Sequence, residues 1–198
     1  MIPINQALFT SIALDEASRL FVAPSIPEFN YDEWAFAQIW QLHPEEYHYV
    51  KMYGKEVPTP RWQQSYGKNY SYTGSKNNAL PIPKDFQVFL DWFRENIDPR
   101  LNGLLLNWYD GSQGHYIGAH RDDTRDLHPN SPIVTISLGQ ERIFRMRKYK
   151  HKGYQDIKMG PGAVIVIPWQ TNLEWTHEVP HFKKYAGRRV SVTLRAYL

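Results

Sequence analysis

The chain contains no cysteine. That excludes disulfides, thiolate–zinc centres and thiol nucleophiles, and leaves eight histidines and the carboxylates as metal ligands. Long apolar runs are missing too: nothing approaches the about 20 residues that a membrane-crossing helix needs, so no membrane partner is expected. The first 24 residues hold Asp15, Glu16 and Arg19 and have no basic start followed by an apolar block. They do not read as a secretory signal, and the protein is expected inside the cell. Repeats, low-complexity tracts and linkers are absent, and 198 residues suit one domain with a sizeable core. A large net charge is lacking as well. At +3 and a pI near 9.0 the total says little about partners.

What is present is pattern. Asn30 and Glu33 suggest a helix start, with Phe36, Ile39 and Trp40 on its buried side. A second helix follows Pro83, carries Phe86, Phe89, Leu90, Phe93 and Ile97 on one stripe, and stops at Asp98-Pro99. From Gly103 the period changes to short β-rich runs: GLLLNWY, HYIGAH, PIVTISLG, RIFRMR, AVIVIPW, LEWTHEV and RRVSVTLRAYL. Helices followed by closely spaced antiparallel strands predict an α+β chain, a double-stranded β-helix or jelly roll with the N-terminal helices on one outer face. The expected layout is one domain over 1–198, with an extension and helix in 1–49, an irregular binding segment in 50–75 and the jelly-roll core in 103–198. Between Glu141 and Lys158, Arg142, Arg145, Arg147, Lys148, Lys150 and Lys152 form a basic stretch. It is either a phosphate-contacting surface or a solvated hairpin.

His120 and Asp122 stand two apart, on one face of an extended segment, where an ion can bridge them. With eight histidines in the chain, about 0.4 such triplets arise by chance, so the surroundings must decide. A third ligand from another strand would complete a two-histidine, one-carboxylate site with an open face. His177, at a strand end, suits this better than His115, His128, His151 or His181, which lie in loop-like or charged contexts; a hydrogen-bonded core histidine is the alternative. Arg189, Ser191, Thr193 and Arg195 alternate with Val190, Val192, Leu194 and Ala196. If that polar face is buried, its two arginines each need an anion, and a bound dicarboxylate would satisfy both; if the strand is an edge, the face is simply wet. Asn107 and Tyr109 share a parity and can hydrogen-bond a carboxylate. A zinc hydrolase could use the same ligand types, but the arginine strand argues for iron.

NWYDGSQGHYIGAHRDD, PIVTISLG, WTHEVP and RRVSVTLR, in that order, resemble the AlkB family of iron(II)/2-oxoglutarate nucleic-acid dealkylases, closest to its duplex-acting animal branch. The resemblance runs from about residue 50 to residue 198. It implies that His120, Asp122 and His177 bind Fe(II), and that Asn107, Tyr109, Arg189, Thr193 and Arg195, with Ser191 on the same face, hold 2-oxoglutarate for reaction with O2. Arg189 would take the distal carboxylate and Arg195 would lie near the chelating end. The implied substrate is DNA or RNA carrying alkylated bases such as 1-methyladenine or 3-methylcytosine, oxidised by a monomeric enzyme with release of formaldehyde, succinate and CO2. VKMYGKEVPTPRWQQSYGKNYSYTG resembles the base-gripping segment, with Tyr53 as the intercalating wedge. Tyr72 would stack on the base opposite His120, Tyr70, Arg61 and Asp123 would line its pocket, and Asp123 would attract a cationic base. Lys183 and Lys184, with the basic stretch, would contact phosphates. Three positions depart from the family: Ser191 replaces an asparagine, Thr124 an acid, and Tyr53 with Glu56 a more aromatic hairpin. The rival readings are an oxygenase of a protein, lipid or small molecule, and a nucleic-acid-binding module without turnover.

Overall fold

A computed structural model describes residues 7–52, 54–72 and 75–198. Along the chain run Thr10–Ala13 (β1), Arg19–Ala23 (β2), Glu33–Trp40 (α1), Tyr49–Met52 (β3), Lys55–Pro58 (β4), Trp62–Tyr66 (β5), Tyr70–Tyr72 (β6) and Ser75–Asn77 (β7). Then come Lys84–Asn96 (α2), Gly103–Asp110 (β8), Ile117–His120 (β9), Ile133–Gly139 (β10), Arg142–Lys148 (β11) and Gln155–Met159 (β12). Val164–Ile167 (β13), Trp169–Glu174 (α3), Trp175–Val179 (β14) and Arg188–Arg195 (β15) complete the fold.

Seven strands form a major sheet in the order β1-β2-β13-β10-β15-β8-β5, and four form a minor sheet in the order β12-β11-β14-β9. Every pairing in both is antiparallel. Alternation along the central strands divides the apolar residues into two cores. Leu104, Leu106 and Trp108 of β8 and Val190, Val192 and Leu194 of β15 point outward and pack under Ile39, Trp40, Phe86, Phe89 and Phe93 of the two long helices. Ile133, Ile165 and Ile167 point inward and meet Phe144, Met146, Ile157 and Trp175 of the minor sheet. This is the jelly roll with helices on one outer face that the sequence predicts.

Helix α2 holds its stripe because Phe86, Phe89, Leu90 and Phe93 recur at helical spacing and all are buried. Burying each contributes about 1.5–3 kcal/mol. Helix α1 differs from expectation at its start. Asp32, not Asn30, is the cap: its carboxylate accepts from the Ala35 N–H at 2.8 Å. Asn30 instead closes a short turn, giving its N–H to Pro27.

Three further corrections concern strands. The described residues of 50–75 are largely strand: β5 pairs with β8 at the edge of the major sheet, β3 pairs antiparallel with β4, and β6 with β7. Leu173 and Glu174, read as strand, belong to α3, which Pro168 starts because a proline lacks only an N–H that no helical carbonyl needs there. Strands β1, β2 and β12 lie outside the predicted strands. In β12 the charges of Asp156 and Lys158 mask the inward pair Ile157 and Met159.

Trp108 joins the outer core to α1. It is fully buried, and its indole N–H donates at 3.0 Å to the Ile39 carbonyl in the last turn of α1, which also accepts from the Leu42 N–H. Trp108→Phe is expected to lower the unfolding free energy by about 1–2 kcal/mol through loss of that bond. Trp108→Ala should lower it by about 3–5 kcal/mol. Urea denaturation followed by fluorescence checks both.

Candidate metal and anion site

Antiparallel pairing of β14 with β9 sets His177 directly opposite His120, with the ring centroids 4.3 Å apart. Asp122 lies just beyond the end of β9. Its Oδ1 is 3.7 Å from the His120 Nε2 and 3.9 Å from the His177 Nε2. Candidate ligand atoms of the three residues all fall within 4.8 Å of one another. The His120 Nδ1 sits 2.8 Å from the Gly118 carbonyl, which fixes the proton there and leaves Nε2 as the lone-pair nitrogen. Phe144 stacks on the His177 ring and holds its plane.

Burial, and then the neighbouring His120, pushes the His177 imidazole down to about 3, so its contact with Asp122 is not an ion pair at neutral pH. His120 shifts the same way, mainly through burial. Asp122 is drawn in two directions. Burial raises its carboxyl, yet Arg195 and the two histidines outweigh this and hold it below the usual carboxylate range. Arg195 forks onto Oδ2, from Nε at 2.8 Å and from a terminal nitrogen at 2.6 Å. Oδ1 is left buried with no hydrogen-bond partner among the described residues. An ionised, unpartnered oxygen beside two neutral imidazole nitrogens is the donor set of a divalent first-row metal. The three residues fit such an ion.

Beside this group lies a cavity whose described lining carries three guanidinium groups, Arg61, Arg189 and Arg195, and no carboxylate. Among the described residues Arg195 alone of the three has an acidic partner, and it too keeps one buried terminal nitrogen without a hydrogen bond. Arg189, also fully buried, has its Nε donating to the Ser137 hydroxyl at 2.8 Å and one terminal nitrogen with no hydrogen-bond partner among the described residues. Burial lowers it to about 10. Strand β15 is central, between β10 and β8, so its polar face is not a wetted edge. Arg61 donates from Nε to the Asn107 Oδ1 at 2.8 Å and from a terminal nitrogen to Gln63 at 3.0 Å. Because Arg61 occupies the Asn107 oxygen, the amide nitrogen remains as a donor.

The structure gathers Asn107, Tyr109, Ser191, Thr193 and Tyr70 around the same cavity. The Tyr70 ring lies under the Arg195 guanidinium at 4.7 Å. Tyr53 lies outside the described residues, and of Tyr72 only the backbone is described, paired with Ser75. Asp123 is not in this cavity. It lines a second groove that His120 also borders, where Arg125 forks onto both its oxygens and offsets the charge expected to attract a cationic base. Lys183 and Lys184 are exposed, with Lys184 over the Tyr185 ring. The basic stretch is less free than its sequence suggests. Arg145 pairs with Asp156, Arg147 with Glu178 and Lys148 with Asp15, while Arg142 is buried.

Sequence reasoning missed Thr135 and Ser137, which oppose Thr193 and Ser191 across β10 and β15. Their alternation with Val134, Ile136 and Leu138 carried the same parity signal as β15. It also missed Asn172, whose amide bonds the Asp122 backbone, and there no periodic signal existed.

The family model of the 2OG-Fe(II) oxygenase superfamily matches residues 33–195. The chain is 30% identical over 164 residues to the human DNA oxidative demethylase ALKBH2, a match covering 75% of this chain and 61% of that protein. It is 26% identical over 199 residues to the rat alpha-ketoglutarate-dependent dioxygenase alkB homolog 3, covering 93% of this chain and 66% of the relative. It therefore spans about three fifths to two thirds of the length of these curated relatives. A solved structure of OsALKBH1 superposes with a TM-score of 0.60 at 16% identity, over 95% of this chain and all of that one, which shows a shared fold. With a model that spans most of its length and AlkB homologues as relatives, the chain belongs to the 2OG-Fe(II) oxygenase superfamily, whose members use iron(II), 2-oxoglutarate and O2.

Proposed function

We propose that this chain catalyses iron(II)- and 2-oxoglutarate-dependent oxidative demethylation of N-alkylated bases, of the 1-methyladenine and 3-methylcytosine type, in DNA or RNA. One observation carries the reading: the group of half-buried His120 with buried Asp122 and His177 adjoins a cavity holding three guanidinium groups and no carboxylate in its described lining. Buried cations without anions are unfavourable, so the cavity suits an acidic cosubstrate next to the metal.

Bound iron(II) would couple the oxidative decarboxylation of 2-oxoglutarate to succinate and CO2, which takes one atom of O2, with hydroxylation of the substrate N-methyl group by the other, and the hydroxymethyl amine would then release formaldehyde. His120 and His177 offer neutral nitrogens, and Asp122 a negative oxygen that Arg195 keeps ionised and oriented. Arg189 offers its unpartnered terminal nitrogen to the distal carboxylate, with Tyr109 and Asn107 beside it on β8. Ser191 and Thr193 line the path between the two ends. Tyr70 and Arg61 wall the cavity and exclude water, and Tyr53 serves as the base-extruding wedge. Lys183 and Lys184 contact phosphate. Similarity to ALKBH2 supports a nucleic-acid substrate.

One set of contacts favours a second reading, an oxygenase acting on something other than nucleic acid. Asp123 is neutralised by Arg125, and Arg145, Arg147 and Lys148 already hold acidic partners, which removes part of the expected recognition surface.

Formaldehyde release from single-stranded and duplex oligonucleotides carrying 1-methyladenine or 3-methylcytosine separates the two readings, with turnover expected on at least one. No release from any of them, alongside succinate production, favours the second. His177→Ala is expected to abolish succinate formation, and retained turnover would exclude it as a ligand. Arg189→Lys loses the guanidinium fork and should raise the KM for 2-oxoglutarate about tenfold or more while leaving metal affinity unchanged. Charge reversal at Lys183 and Lys184 is expected to weaken oligonucleotide binding and flatten its salt dependence by about two phosphate contacts.

A further inference from the structure

Asp122 lies where the sheet stops holding the chain. Strand β9 ends at His120, and β14 pairs with it only through His120 and Ile117, with a register irregularity between them. Two residues farther on, the ladder no longer fixes the backbone that aims the carboxylate. Arg195 fixes one oxygen of that carboxylate, which leaves the Cα position to be set separately.

Asn172 meets both backbone groups of Asp122. Its Oδ1 accepts from the Asp122 N–H at 3.0 Å and its Nδ2 donates to the Asp122 carbonyl at 3.0 Å, with Asn172 only 1% exposed. A primary amide matches an N–H and a C=O together; a carboxylate or hydroxyl at that distance does not. Asn172 sits in α3, which runs directly into β14, so the helix that clamps one candidate ligand is continuous with the strand that carries His177.

We propose that Asn172 is the positioning residue for the metal centre: through its two-way bond to the Asp122 backbone it sets the separation between the carboxylate on the β9 side and the imidazole on β14. The proposal rests on the reading of His120, Asp122 and His177 as metal ligands. Partners that orient a ligand from outside the coordination sphere typically change metal affinity about 10–100-fold when lost.

Thr171 supplies the control. It is the adjacent residue of α3, equally buried, and exchanges hydrogen bonds with the Arg19 backbone, away from the metal group. The metal-free protein is titrated with Co(II), whose visible bands report coordination, and its thermal midpoint is measured without metal. Asn172→Ala and Thr171→Val are both expected to lower the midpoint. Only Asn172→Ala should weaken Co(II) binding tenfold or more and alter the bands. Should the alanine variant not fold, Asn172→Ser, which cannot span both backbone groups, carries the same comparison. Unchanged Co(II) affinity and spectrum in the Asn172 variant would overturn the proposal, as would an equal loss in Thr171→Val. Failure of the unaltered chain to bind Co(II) would overturn the metal reading itself, and the proposal with it.

Discussion

The buried contact between Arg195 and Asp122 organises the candidate site. An isolated carboxylate at that depth would take up a proton to escape the loss of water, and a protonated acid is a poor metal ligand. Arg195 prevents this from one side, with two short bonds to Oδ2, and leaves Oδ1 exposed only to the histidines. The pair also ties the last strand of the chain to the loop beyond β9, a separation of 73 residues. Burial also keeps both imidazoles neutral. Low solvent access therefore acts in opposite senses on the acid and the histidines, and Arg195 reverses it only for the acid.

Strand β15 makes that contact possible because its two faces do different work. Val190, Val192 and Leu194 sink into the helix-covered core, and the same pleat turns Arg189, Ser191, Thr193 and Arg195 into the barrel. The register on either side is continuous: β8 matches it over eight residue pairs and β10 over six. A slip of one residue would exchange the arginines with the valines, so the outer core enforces the chemistry of the inner one.

Around this rigid centre the surface is less decided. Ion pairs consume much of the basic stretch on β11, and Arg125 consumes Asp123. These pairs lie at the exposed or half-buried surface, where an ion pair contributes little, and an arginine among them can exchange its carboxylate for a phosphate. The substrate question thus turns on groups whose pairing is cheap to exchange, whereas the cofactor question turns on groups locked by burial.

Period and parity were legible in the sequence: the amphipathic stripe of α2, the strands from Gly103 onward, the two-faced pattern of RRVSVTLR and the His120-Arg121-Asp122 spacing. These are local properties, set by 3.6-residue and two-residue repeats, and the ordered motifs added the family resemblance that the family model bears out. Tertiary structure decided what local pattern does not encode. It set His177 across from His120, gave Arg195 to Asp122, and left Arg189 with Ser137 but no acidic partner among the described residues. It tied Arg61 to Asn107, paired Arg147 and Lys148 with distant acids, and brought Asn172 to the Asp122 backbone. Each of these is a contact between segments far apart in the chain. Such contacts depend on strand register and sheet order, which no single segment carries.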